Sequence, residues 1–314
     1  MDTRSRLELA NDNAAAFWLA QARSHGWEFV RTPHFTAVRC DGDAEAHRVV
    51  VTRPYGEPES MVEELVAVLR DWRTARLCLE DPYARLDLRG HGCEASLGQA
   101  VMAREPDGAG VGAAVAGTGG AGAAGAGATG VGTAGAGAGA AGVDGATGGL
   151  QVLQGGTAVL ETSRRWRDQP AARLTVGEAL DADDLAEVER TVIDGFPMPA
   201  RLPHVRGSML PPGLLQTDGY RAWLARLDGR PAGACISYDD GTAVGIYSVA
   251  TLPEHRSRGV GRAVVAAALA AHPDRVATLV ATLLGEPLYR RLGFAEYGVS
   301  RWWRYPATPS SMTV

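Results

Sequence analysis

No lysine occurs in these 314 residues, so all 31 basic side chains are arginine. That absence excludes a Schiff-base lysine, a lysine general base and a Walker phosphate loop, which needs Gly-Lys-Ser/Thr. A formal charge of −5 opposes general nucleic-acid binding, for which a basic domain is expected. Only four cysteines are present (Cys40, Cys78, Cys93, Cys235), with no CxxC pair, a spacing that suits neither a zinc knuckle nor a disulfide framework. They read as reduced, buried thiols. No cluster of His, Cys and acids has ligand spacing, so no metal is expected. The N-terminal stretch MDTRSRLELANDN lacks an apolar signal core, and the longest apolar run, 263–271, falls far short of the about 20 residues of a membrane span. A soluble, cytoplasmic protein without membrane contact is the expectation.

What is abundant is glycine and alanine. Residues 108–149 hold 18 of the 40 glycines, with Asp144 as the one charged residue. Such a tract buries too little to offset its ordering entropy and is expected to be a disordered tether. It divides the chain into domains at 1–107 and 150–314.

Apolar periodicity and punctuation place the elements. In the first region, residues 10–26 read as a helix stopped by Gly26, and 47–53 as a strand. A helix over 60–72 follows with Ser60 as N-cap, then strands over 75–81 and 98–104. In the second, 171–179 is a strand and 181–196 a helix capped by Asp181 with acids in its first turn. A Pro-rich loop spans 197–213, with Phe196, Met198 and His204 as candidate acceptor-lining residues. Three strands over 220–251 then form antiparallel hairpins through Asp228-Gly229 and Asp240-Gly241.

The stretch PEHRSRGVGRAVV (253–265) carries the chemistry. It joins the strand at 243–251 to a helix whose stripe is Val260, Ala263, Val264, Ala267, Ala268 and Ala271. Glycines at a helix start let backbone amides approach an anion, and the unpaired N–H groups and positive dipole end bind phosphate. Arg256, Arg258 and Arg262 raise the local potential. A dinucleotide GxGxxG/A fingerprint fails, because Val264 takes its third place and the preceding strands are antiparallel. The remaining pattern, [Q/R]xxGx[G/A], is matched by Arg256, Gly259 and Gly261.

With its context (strand, VATLPEHRSRGVGRA, helix, RVATLVATL, then EPLYRRLGFAEYG), this stretch resembles the GNAT superfamily of acetyl-CoA-dependent N-acetyltransferases over about 172–304. The resemblance implies an α+β fold with a mixed, mostly antiparallel sheet flanked by helices. It implies acetyl-CoA as co-substrate and a small-molecule or peptide amine as acceptor. Arg256, Ser257, Arg258, Gly259, Val260, Gly261 and Arg262 would form the pyrophosphate loop. Val249, Ala250 and Thr251 would pair with the pantetheine arm where the family's sheet splays. Tyr289 falls at the family's general-acid position; the alternative is that it only packs beside Leu288 and Phe294. Residues 242–252 contain no acid, so the base many relatives carry there is missing. Asp239 and Asp240 read as turn residues, Glu254 and His255 flank the loop, and Tyr247 with Ser248 could order a water.

The first region echoes the second. Residues 62–104 and 261–304 both run helix, strand, short loop, turn, strand, with His91-Gly92-Cys93 where Leu292-Gly293-Phe294 falls. TRPYGEPES, before the first of these helices, has no RxxGxG. A GNAT-like domain that has lost its cofactor site is one reading, and an unrelated α/β domain the other. Three functions stay open: acetyl transfer, transfer of a longer acyl group, and non-catalytic acyl-CoA sensing.

Overall fold

The computed structural model describes residues 5–41, 46–74, 76–106, 150–153, 157–160, 173–196 and 198–305. The tether expected at 108–149 lies outside them.

Helix α1 (Arg6–His25) starts before the expected Ala10, because Ser5 and Glu8 form a capping box: the Ser5 hydroxyl accepts from the Glu8 amide at 3.2 Å, and the Glu8 carboxylate from the Ser5 amide at 2.9 Å. Gly26 ends it in the left-handed region, at φ 73. Strands β1 (Glu28–Arg31), β2 (Phe35–Arg39) and β3 (His47–Val51) form an antiparallel meander. Helix α2 (Pro58–Asp71) then crosses over to β4 (Leu77–Asp81), parallel to β3. Ser60 is not its N-cap: the helix opens two residues earlier on Pro58, whose missing N–H costs nothing in a first turn. Two further strands, β5 (Glu94–Ala95) and β6 (Gln99–Arg104), complete this half.

Strands β7 (Leu150–Leu153), β8 (Thr157–Leu160) and β9 (Leu174–Glu178) precede α3 (Ala182–Gly195). Asp181 caps α3 as expected, accepting from the amides of Asp183 and Asp184 at 2.9 Å. Strands β10 (Tyr220–Leu227), β11 (Arg230–Asp239) and β12 (Ala243–Thr251) form the expected hairpins. Helix α4 (Val260–Ala270) leads to β13 (Val276–Ala281), parallel to β12, and α5 (Glu286–Arg291) to the long β14 (Ala295–Tyr305).

Strands from both sides of the tract make one continuous sheet, in the order β1-β2-β3-β4-β14-β6-β13-β12-β11-β10-β9-β8-β7, with β5 also on β14. Its centre is an exchange. β6, from the first half, lies between β13 and β14, while the end of β14 reaches β4. Outward from the central β14-β6 pair, each side reads antiparallel, parallel, antiparallel, antiparallel. Helices α2 and α4 are the parallel crossovers on the two sides, and Gly92 and Gly293 are both left-handed, at φ 76 and 87.

One face of β10–β12 packs against α4 and α5, around Val264, Ala268, Leu279 and Phe294. The other packs against α3 and α1, around Phe17, Val188, Val192 and Leu224. Helix α1 spans the halves, since its Ala22 packs on Val38 while its Phe17 stacks on Tyr247 with centroids 4.0 Å apart. Among the described residues no helix is long and apolar enough to cross a membrane.

Candidate functional site

Strand β12 is bonded to β11 along nearly its whole length, but to β13 only through Ala243–Gly245 opposite Val276–Thr278. Beyond that point β13 stays with β6, so the sheet opens between β12 and β13. A bulge marks the opening: Ser248 has φ 51, and the β11 register skips between Ala234 and Ile236. Past it, Leu252 donates its N–H to Ala232 O at 2.9 Å. Alternate residues of an antiparallel pair face the same neighbour, which turns the N–H groups of Val249 and Thr251 into the gap.

The gap runs directly into the arginine-rich turn. Pro253–His255 make one 3-10 turn, Ser257 and Gly259 take left-handed φ values of 59 and 82, and α4 begins at Val260. Residues 256–259 are exposed. Alternation of left-handed residues with others curls successive amides toward one point, a concavity that suits an anion. A side chain at Gly261 would point at Thr251 Oγ1 (3.3 Å from a Cβ) and Leu288 Cδ2 (3.4 Å), so only glycine leaves the mouth between β12, α4 and α5 open. Arg256 also reaches across to the end of α3, where Nη2 donates to Gly195 O at 3.4 Å.

Tyr289 is buried on the α4 face, edge-on to Phe294 at 6.0 Å. Burial holds its phenol above the usual value, with a smaller push from Cys235. Cys235 sits where the β11 register skips, opposite the bulge, and shares the core on the α4 face with Tyr289.

Other candidates have different work. Tyr247 is no water-orienting group: its hydroxyl donates to Asn13 Oδ1 at 2.6 Å, and its ring folds back over Gly245. Ser248 stays at the bulge. Asp239 and Asp240 are turn residues as expected, accepting from the amides of Gly241, Thr242 and Ala243 at 2.8–2.9 Å. All four cysteines are free and buried, and burial raises the pKa of each, Cys40 to about 11.

The Pro-rich loop is anchored by a residue that sequence reading passed over. Glu189, fully buried on α3, accepts from the amides of Gly207 (2.7 Å), Met209 (2.6 Å) and Leu210 (3.1 Å) and contacts His204 Nε2 at 3.2 Å. His204 therefore serves the loop's own structure. Met198 packs into the α3 core, and Phe196 is left part-exposed at the end of α3.

A second constellation imitates an acyl-transfer triad. Ser237 Oγ lies 3.3 Å from His272 Nε2, whose Nδ1 lies 3.7 Å from Asp239 Oδ2. Ser237 is fully buried, however, and already accepts from Trp223 Nε1 at 3.0 Å. No substrate reaches it, and the group ties the end of α4 to β11.

In the first half the corresponding cleft is shut. Strand β3 pairs with β4 over His47–Val50, four of its five residues. The turn before α2 offers carbonyls instead of amides, and Arg85 fills it, donating to Tyr55 O (2.7 Å) and Gly56 O (2.9 Å). Asp81, fully buried at the end of β4, accepts from Tyr55 OH (3.2 Å) and from the amides of Tyr83 (3.1 Å) and Leu86 (3.0 Å). A buried carboxylate and carbonyls already bound by Arg85 thus stand where the other turn has exposed residues and left-handed Ser257 and Gly259.

Glu80 is the remaining buried acid under α1. Burial raises its carboxyl to about 7, opposed by Arg48 and a hydrogen bond from Trp18. Its folded pKa lies above its unfolded one, so its contribution is complete below about pH 4.5 and lost as pH rises through 7. Glu80→Gln should gain about 2–3 kcal/mol over the native protein between pH 5 and pH 8, at 1.36 kcal/mol per unit. Urea midpoints at the two pH values read this; an unchanged difference would mean that Glu80 is ionised throughout. The lowered pKa values of the half-buried His25, His47 and His272 tilt stability the other way, but cancel in the comparison.

Residues 218–296 match the family model of the acetyltransferase (GNAT) domain. A GCN5-related N-acetyltransferase from Kribbella flavida is 16% identical, with 96% of this chain and 97% of that one covered at a TM-score of 0.55. One from Sphaerobacter thermophilus is 14% identical over 86% and 76%, at 0.46, and a functionally unknown conserved protein from Staphylococcus epidermidis 10% identical over 89% and 93%, at 0.49. No curated protein matches. The chain carries a C-terminal GNAT domain, and the Kribbella flavida protein shares its fold across both halves.

Proposed function

We propose that the chain is an N-acetyltransferase that moves acetyl from acetyl-CoA to an amine by direct attack. The observation that carries this reading is the continuity of the β12–β13 opening with the glycine turn: free amides line a slot that ends in an anion cradle. Bound acetyl-CoA supplies the thioester. The amides of Arg258, Gly259, Val260 and Gly261 hold the pyrophosphate, helped by the charges of Arg256, Arg258 and Arg262. Val249, Ala250 and Thr251 offer edge hydrogen bonds to the pantetheine arm. The amide at Val249 stabilises negative charge on the thioester oxygen as the amine attacks, a preorganised donor being worth about 3 kcal/mol. Tyr289 gives its proton to the departing thiolate. The attacking nitrogen releases a proton to water at the bulge beside Ser248, the strand having no carboxylate.

The first half, in this reading, is a GNAT-like domain without a cofactor site. Support comes from the matching strand pairing outward from β14-β6, and from Arg85 and Asp81 in place of the cradle. The missing strand carboxylate favours a second reading, a non-catalytic acyl-CoA sensor.

Thermal unfolding tests the cradle. Acetyl-CoA at 100 times its dissociation constant adds about 2.7 kcal/mol, an upward shift of about 4 °C for a chain of this size. Gly261→Glu, which puts a carboxylate into the mouth, should abolish the shift. A folded native protein with no shift would end the acetyl-CoA assignment.

A further inference from the structure

Strand β12 is open to a ligand over a short stretch. Ala243 to Ile246 are buried, Tyr247, Ser248 and Val249 are only part-buried, and Ala250 is buried again. In one direction this stretch runs on through Thr251 to the arginine turn. In the other it stops at Tyr247, just short of Gly245, the last β12 residue still paired with β13.

Three side chains close that inner end, and two of them come from the first half. Tyr247 lies back over Gly245, with its ring and the Asn13 amide filling the space above the glycine. Its hydroxyl donates to Asn13 Oδ1 at 2.6 Å, and Phe17 stacks on its ring with centroids 4.0 Å and planes 8° apart. Asn13 is itself fixed by its bonds to Tyr238 O and Ala243 O. Asn13 and Phe17 are buried residues of α1. On the opposite face of the sheet, Ile246, Leu279 and Phe294 are buried in the α4 core. A chain pushed along the strand past the bulge therefore meets packed core on one face and the Tyr247 ring on the other.

A cofactor held by the arginine turn, with its pantetheine arm along Thr251 to Val249, carries its acyl group beyond Val249. At about 3.3 Å per residue, Tyr247 stands about 7 Å further along the strand. That length takes an acetyl group and not an octanoyl chain.

We propose that Tyr247, held by Asn13 and Phe17, is the stop that limits the donor to a short acyl-CoA, and that holding this stop is the task of α1. The proposal rests on the acetyltransferase reading and narrows its donor. Tyr247 sets specificity by the space it fills; Asn13 and Phe17 are positioning residues that act through its ring.

Isothermal titration with CoA, acetyl-CoA and octanoyl-CoA tests the stop on the native protein, Tyr247→Val, Tyr247→Phe and Phe17→Leu. The native protein should bind octanoyl-CoA at least about tenfold more weakly than acetyl-CoA, as a filled pocket rejects added methylenes. Tyr247→Val should abolish that ratio with the affinity for CoA itself unchanged, which also shows that the variant folds. Tyr247→Phe keeps the ring on Phe17 and should keep the native ratio. Phe17→Leu keeps α1 apolar while removing the stacked ring, and should lower the ratio; it carries the test if Tyr247→Val does not fold. Equal native affinity for the two acyl-CoAs would overturn the stop, placing the chain outward toward solvent. So would a native ratio in Tyr247→Val or, where that variant does not fold, in Phe17→Leu. A native protein that binds neither CoA nor acetyl-CoA ends the acetyltransferase reading first, and the stop with it.

Discussion

Gly245→Ala is expected to cost about 4 kcal/mol, an exceptional figure for adding one methyl group. Gly245 lies in the three-residue stretch where β12 still pairs with β13, and Asn13 Oδ1 and the Tyr247 hydroxyl rest against its Cα face, well inside the contact distance of any Cβ. These atoms have no freedom to retreat. Asn13 is fully buried, donating Nδ2 to Tyr238 O (3.1 Å) and Ala243 O (3.0 Å) and accepting from Tyr247 at 2.6 Å. Pushing it away removes a donor from Tyr238 O and from Ala243 O, which keeps the Asp240 amide at 3.1 Å. It also takes the acceptor from the Tyr247 phenol, an unsatisfied buried group costing about 1–3 kcal/mol. Overpacking adds to that cost. Urea unfolding reads the loss, and hydrogen exchange over residues 6–25 should rise in parallel as α1 lifts from β12. A variant within 1 kcal/mol of native would show that α1 is not fastened through this contact.

That fastening is how the first half reaches the second, and nothing local in the sequence announces it. The elements that were legible are those whose cause is short-range. The turns Asp228-Gly229 and Asp240-Gly241 are set by dipeptides, the start of α3 by Asp181, and the end of α1 by Gly26. Strands β1 and β2 went unread because neither alternates: Glu28–Arg31 is mostly exposed, whereas Phe35–Arg39 is buried at four of five positions. The start of α1 was missed through the unread Ser5–Glu8 pair, and that of α2 by preferring Ser60 to Pro58.

The site divides along the same line. The proposed anion cradle is a run of consecutive residues, so Arg256 to Arg262 can be put forward from their order alone. The insertion of β6 between β13 and β14, the closing of the first cleft by Arg85, and the tie from Glu189 to the Pro-rich loop all join residues about 20 or more apart. Strand pairing of that range is chosen by the whole core, and a single sequence carries no local mark of it.

Replacing Tyr289 by Phe should lower kcat about 100-fold with acetyl-CoA binding intact, at the low end of what a positioned general acid supplies. The ring's edge contact with Phe294 and its place in the α4 core survive the change, because only the hydroxyl leaves. Burial raises the phenol above its usual pKa, which keeps it protonated throughout the neutral range and makes it a weaker acid toward the departing thiolate. Loss of that donor raises the barrier of the step in which the carbon–sulfur bond breaks, and should leave the KM for acetyl-CoA within about twofold. Thiol release under saturating substrates gives kcat, and the thermal shift with acetyl-CoA gives binding. Unchanged turnover would make Tyr289 a core residue and move the proton source to solvent. Lost turnover together with a lost thermal shift would mean that the hydroxyl supports the fold of the cleft. A protein that binds acetyl-CoA but shows no turnover before substitution would be the acyl-CoA sensor. The expected result, a slow variant that still binds, fits only an enzyme in which this hydroxyl meets the leaving group.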